Sequence, residues 1–235
     1  MRRMMLLVAG LGTGGFLFYL LCSGAAAQYV SARTPETTDS CVSLPCPVED
    51  TFLVALELAI YEGPFREDGT DEEVAGVAAL VVENAGGNLV SEGAVVLEWG
   101  EDRLVFELSA LPPGERVLIL EKDKKAYRGQ QLLGCYGWTR EEYPEDPGFV
   151  AVEEYGGNGL LVTNRTNDTA PMVSIRFKSH DADSGMYIGG ICYTVTVSDL
   201  QPGEKRVITP YHYARGCSKV VCVTTETEEI TQSDK

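Results

Sequence analysis

The chain has 235 residues, of which 44% are hydrophobic, and it carries 35 Asp and Glu against 19 Lys and Arg. A chain of this length and composition can bury a core, which excludes disorder throughout. The acidic excess excludes recruitment of nucleic acid or anionic lipid headgroups by charge, and its ordinary use is solubility and mutual repulsion.

Taken in chain order, the first 27 residues stand apart. Arg2 and Arg3 precede an uncharged, mostly apolar run from Leu6 to Leu21, and Ala25-Ala26-Ala27 offers a small-x-small cleavage site before Gln28. This is the grammar of a signal peptide. The run from Met4 to Cys22 is also long enough to be a hydrophobic helix that stays as an anchor, although Gly10, Gly12, Gly14 and Gly15 weaken it. Lipid attachment at Cys22 would need a small residue just before it, and Tyr19-Leu20-Leu21 supplies none. Both main readings send everything after residue 28 out of the cytoplasm. The expected location is extracytoplasmic, secreted or anchored at the cell surface, with membrane contact only through the N-terminal segment.

Residues 28–49 read as a linker. The polar run Ser31 to Ser40 has no periodicity and cannot bury enough surface to offset its ordering entropy. It is followed by Cys41-Val42-Ser43-Leu44-Pro45-Cys46, in which two thiols around a proline suggest a local disulfide. A zinc site would need two more ligands, and neither His180 nor His212 sits near another Cys pair.

After residue 50 the period is two and the punctuation is Gly, Pro, Asn and Asp. Leu104, Phe106 and Leu108 alternate with Val105 and Glu107; Val173, Ile175 and Phe177 with Ser174 and Arg176; Tyr193, Val195 and Val197 with Thr194 and Thr196. Further β-type runs cover 52–61, 77–83, 94–99, 116–121, 160–163 and 219–225, separated by turn-forming stretches such as Pro112-Pro113-Gly114. These features predict an all-β sandwich fold.

Three landmarks recur in one order. Leu80-Val81-Val82-Glu83-Asn84 matches Leu160-Leu161-Val162-Thr163-Asn164; Leu111-Pro112-Pro113-Gly114-Glu115 matches Leu200-Gln201-Pro202-Gly203-Glu204; Arg128-Gly129 with Cys135 matches Arg215-Gly216 with Cys222. The offsets, 80, 89 and 87 residues, differ by amounts that surface loops absorb. Two copies of one sandwich are therefore expected, 50–143 and 148–227, joined across Tyr143-Pro144-Glu145-Asp146-Pro147-Gly148 and followed by a polar tail, 228–235. Cys135 and Cys222 would hold equivalent last-strand positions.

A strand ending in Asn, a Gly-rich turn, another strand, then Leu-Pro-Pro-Gly-Glu before the next strand resembles bacterial cell-adhesion-related and other immunoglobulin-like surface domains. The second copy keeps the Asn and the Pro-Gly-Glu turn without the double glycine. The resemblance implies two tandem immunoglobulin-like sandwiches on a cell surface. It names no ligand, because the shared residues are turn chemistry.

Motifs for catalysis are missing. There is no Gly-x-Ser-x-Gly elbow, phosphate loop or His-Glu-x-x-His pair, and two histidines leave few general bases, so neither catalysis nor a cofactor is expected. Asp181-Ala182-Asp183-Ser184-Gly185 has the alternating oxygens of a calcium loop without its closing acid, leaving Asp181 and Asp183 as metal candidates beside a plain turn. Trp99, Tyr136 and Trp138 could stack on a sugar or peptide, or fill a core. Six cysteines follow the leader, and Cys192 with Cys217 is the expected second disulfide after Cys41 with Cys46. Asn164-Arg165-Thr166 and Asn167-Asp168-Thr169 are glycosylation sequons, of use only in a eukaryotic source. Two functions fit: a surface interaction, adhesion or envelope protein with a protein or envelope partner, or a carbohydrate- or small-ligand-binding module built on the aromatics near Trp138. Solvent exposure of those aromatics separates the two.

Overall fold

Alternation of buried and exposed side chains becomes pairing in the computed structural model, which describes residues 41–65, 72–142 and 147–226. The expected leader and hydrophobic helix, the linker up to residue 40 and the tail 228–235 lie outside the described residues. Among those described there are fourteen strands and no α-helix. The first half holds β1 (Cys46–Pro47), β2 (Leu53–Phe65), β3 (Glu72–Asn84), β4 (Leu89–Trp99), β5 (Asp102–Leu111), β6 (Arg116–Leu120) and β7 (Gly134–Glu142). The second holds β8 (Val150–Tyr155), β9 (Gly159–Asn164), β10 (Ala170–Asp181), β11 (Met186–Ile188), β12 (Tyr193–Leu200), β13 (Lys205–Ile208) and β14 (Ser218–Glu226).

One pairing order occurs twice. In the first half β3 lies between β2 and β6, and β4 between β5 and β7; in the second β9 lies between β8 and β13, and β10 between β12 and β14. Each pair of three-strand layers encloses its own apolar cluster. Leu80, Val82, Val117 and Ile119 meet Val95, Leu97, Leu104 and Phe106 in the first. Leu160 and Val162 meet Val173, Ile175, Phe177 and Val197 in the second. Complete burial of side chains of this size stabilises by roughly 1.5–3 kcal/mol each, so the period-two pattern fixes which face of every strand turns inward.

The repeated turn residues share backbone conformation as well. Ala110 and Asp199, each just before a repeat leucine, have φ of 48° and 51°, and Gly114 and Gly203 have 71° and 68°. The left-handed region is open to glycine without steric cost, which is why the Pro-Gly turn recurs. Asn164 is buried and bonded, which closes the first sequon in the folded chain; Asn167 is exposed.

Pairing places the cysteine landmark differently from expectation. Cys135 faces Leu97, whose counterpart by register is Phe177, and Phe177 faces Val220; Cys222 faces Arg176 instead. A bulge at Val221 inserts one unpaired residue into β14. Such a residue shifts everything beyond it relative to its partner strand. Cys135 therefore points into the first core, whereas Cys222 lies on the face of β10 that bears Arg176.

The halves are also joined by more than the stretch 143–148. β10 runs past its partner β12, turns, and returns as β11, which pairs in parallel with β6 through Tyr187 with Val117 and Ile188 with Leu118. One sheet therefore runs from β1, β2, β3 and β6 through β11 to β10, β12 and β14. Tyr187, 1% exposed, belongs to the core of the first half. Around it, Lys178 Nζ donates to the Ser109 carbonyl at 2.6 Å, Arg176 pairs with Glu142 at 2.7 Å and Lys219 with Glu115 at 2.7 Å.

All nine β-type segments read from the sequence correspond to strands. Four strands, β1, β8, β11 and β13, were not anticipated and β7 was expected only as the last strand holding Cys135; all five are short or carry small and charged residues where alternation would need large apolar ones. The linker reading changes at its end: Val42 bridges Leu132, Glu49 bridges Tyr136, and Val48 is 1% exposed, so 42–49 is bound to the first half.

Candidate functional site: the outer face of β7

The strand Gly134–Glu142 alternates small inward residues with large outward ones. Cys135 and Gly137 face the core side, and at Gly137 an added Cβ would lie 2.2 Å from the Ala94 carbonyl oxygen, so no larger residue fits without moving a backbone. Tyr136, Trp138 and Arg140 turn outward, opposite Val96, Ala94 and Glu92 on β4. β7 is the outer strand of its three-strand layer, paired with β4 along one edge and bridged by Glu49 of the entry segment at Tyr136.

Each outward side chain has a defined environment. The Tyr136 hydroxyl donates to Glu98 Oε1 at 2.6 Å, and this bond to a carboxylate, more than desolvation, pushes the phenol above its ordinary range. Trp138 is 53% exposed, among the most exposed large apolar side chains of the first half. Arg140 pairs with Glu92 at 3.1 Å, and Glu107, opposite Ala94 on β5, pairs with Lys122 at 3.1 Å. The result is an indole and a phenol two residues apart on one face, with charged pairs beside them. This surface can stack on a flat apolar group while charged side chains hold polar groups around it.

Other expected site residues fall elsewhere. Trp99 ends β4 on the inward face and packs against the first core, so it is not part of the aromatic face. Asp181 closes the turn between β10 and β11: its carboxyl accepts the Asp183 and Ser184 N–H groups at 3.3 and 3.2 Å, and its carbonyl accepts from Gly185 at 2.9 Å. Bonds from the Ser184 side chain and from the Asp183 backbone hold that carboxyl below the usual range. The calcium-like spacing thus serves a hairpin, and among the described residues no group of three or more His, Cys, Asp or Glu side chains is placed to hold a metal ion. His180 packs edge-on to Tyr187 at 5.4 Å, and His212 stacks on Tyr193 at 4.4 Å.

Cys46, Cys135, Cys192, Cys217 and Cys222 are unbridged. Cys192 and Cys217 flank opposite sides of β10, one beside β12 and the other beside β14. Adjacent strands are about 4.8 Å apart, so this pair spans roughly 10 Å, beyond the limit of about 7 Å for a disulfide. The expected bridge between them is corrected on that ground. Cys41 is exposed beside the Gln131 side chain, while the Cys46 thiol is hydrogen-bonded to that of Cys135.

The sequence reading missed Glu98 as the partner of Tyr136 and missed Tyr187 and Lys178 at the junction. Met186-Tyr187-Ile188 between glycines was a visible short apolar run; nothing local marks Lys178 as 0% exposed. No protein-family model matches this chain, and no curated protein matches it.

Proposed function

We propose that this chain is an exported, non-catalytic binding protein in which two immunoglobulin-like sandwiches in tandem, 50–143 and 148–227, present the outer face of β7 to a protein or envelope partner. The immunoglobulin-like reading is supported by the strand order, β2-β3-β6 against β5-β4-β7, with hairpins that alternate between layers, and by its recurrence in the second half. The single observation that carries the binding role is Trp138, left 53% exposed beside Tyr136 with ion pairs around it. Exposed tryptophan framed by polar groups is the usual makeup of an interaction hot spot. The junction through β11 supports a rigid display, since Tyr187 of the second half sits in the core of the first.

The spacing of Tyr136 and Trp138 on one face also favours a second reading, stacking on a sugar ring. One experiment separates the two. The 28–235 fragment and its Trp138→Ala variant are used to capture partners from native cell envelope, and both are titrated with envelope polysaccharide while tryptophan fluorescence is followed. A protein held by the parent and lost by the variant supports the first reading; fluorescence change with polysaccharide alone replaces it with the second. Equal behaviour of both forms removes this face from the function. Mass spectrometry of membrane and soluble fractions tests export: cleavage after Ala27 or an intact anchored chain agrees with it, and an intact cytosolic chain contradicts it.

A further inference from the structure

The segment that enters the first half is held against its last strand. Cys46 pairs with Ala55 on β2, and three residues later Glu49 bridges Tyr136 on β7 and donates its N–H to the Cys135 carbonyl at 3.2 Å. Val48, between them, is 1% exposed, and its Cγ1 would be 3.0 Å from a Cβ at Gly137. This path brings the Cys46 side chain to the first core, where Cys135 is 5% exposed and the two thiols share a hydrogen bond.

We propose that Cys46 and Cys135 are a disulfide-forming pair, joined by exchange with an external low-molecular-weight disulfide and clasping the entry segment to β7. Cys46 is the attacking group. It is half-buried where Cys135 is buried, and the S–H of Cys135 donates to it, holding its thiol below the ordinary range and that of Cys135 well above. A thiolate at Cys46 attacks one sulfur of the external disulfide and expels one thiol. Cys135 then loses its proton and attacks the Cys46 sulfur of the mixed disulfide, expelling the second thiol. Two protein S–H groups are oxidised, one external S–S bond is reduced to two thiols, and the two protons leave on those thiols. A bond between positions 46 and 135 closes a long loop, the case in which cross-linking restricts the unfolded chain most.

The test incubates the full chain with oxidised glutathione or with dithiothreitol, quenches in acid, blocks free thiols under denaturing conditions with N-ethylmaleimide, and maps peptides without reduction. The expected result is a Cys46 peptide linked to a Cys135 peptide only in the oxidised sample, together with a melting temperature several degrees higher than that of the reduced chain. In Cys46→Ser, a change at a half-buried position, both the link and the rise are lost. Recovery of Cys46 linked to Cys41, or of Cys46 and Cys135 both carrying maleimide after oxidation, overturns the proposal. The peptide map of the parent chain decides the matter even where the variant does not fold.

Discussion

Asn84 and Asn164 make three matching side-chain hydrogen bonds at the same place in the two halves. The Asn84 Nδ2 donates to the carbonyls of Asn88 at 2.8 Å and Leu111 at 2.9 Å, and that of Asn164 to the carbonyls of Asp168 at 2.8 Å and Leu200 at 2.9 Å. Each Oδ1 accepts a backbone N–H two residues on, from Gly86 at 3.0 Å and from Thr166 at 2.9 Å. Both residues are essentially buried, at 0% and 1% exposure. Each ties the end of one strand to the repeat leucine of another, so the asparagine and the Leu-x-Pro-Gly turn recur together because they are bonded to each other.

Asn84→Ala is expected to leave two buried carbonyls without this donor and to cost about 2–4 kcal/mol, with a similar loss for Asn164→Ala. Asn84→Asp should be at least as damaging, since it sets a carboxylate oxygen against the Leu111 carbonyl. Urea denaturation of the three variants measures this, and an aspartate variant as stable as the parent would show that the side-chain amide is dispensable.

Tyr187→Ala should empty a site in the first core that the second half fills, at a cost of about 3–5 kcal/mol. Both tryptophans, Trp99 and Trp138, lie in the first half, so their fluorescence reports that half while far-ultraviolet circular dichroism reports both. The parent chain is expected to give coincident curves by the two probes. In the variant the fluorescence transition should come first, because the junction that couples the halves has been cut.

Glu121 is 0% exposed and holds a turn by its carboxyl oxygens, which accept N–H groups of Val105 at 3.2 Å, Asp123 at 2.8 Å and Lys125 at 2.9 Å. Glu121→Ala removes both acceptor oxygens, leaves three N–H groups without this partner and should destabilise by about 3 kcal/mol or more. Glu121→Gln keeps one acceptor oxygen and should lose less. Thermal melts that rank glutamine below alanine would contradict this assignment.

Tyr213 gives a dependence on alkaline pH. Burial, followed by the bond from its hydroxyl to Glu154 Oε1 at 2.8 Å, pushes its pKa from 10.0 up to about 12. Below pH 10 the phenol is protonated in both states. Between 10 and about 12 the unfolded chain releases the proton and the folded chain keeps it, so stability falls across that window by roughly 2 kcal/mol. Tyr213→Phe should flatten this part of the curve in a series of urea melts, and an unchanged slope would exclude Tyr213 as its source.

Half of this protein is written in local spacing. Period-two alternation at Leu104 to Leu108 and Val173 to Phe177 is enough to specify strands with one buried face, and the Asn and Pro-Gly landmarks are enough to reveal a repeat, because turns and strand faces depend on residues a few positions apart. Beyond the last-strand place of Cys135, the extent and faces of β7 were not legible, since Cys135, Gly137 and Thr139 alternate inward without the large apolar residues that mark a buried face. Which tryptophan is exposed was equally closed to the sequence: Trp99 and Trp138 differ by the face of the sheet they occupy, and face is set by register between strands distant in the chain. A one-residue bulge at Val221 moved Cys222 away from the counterpart of Cys135, and a parallel pairing of two residues brought Tyr187 into the other half's core. The thiols of Cys46 and Cys135 meet for the same reason. Contacts of that kind are properties of the assembled sheets, and only the tertiary structure decides them.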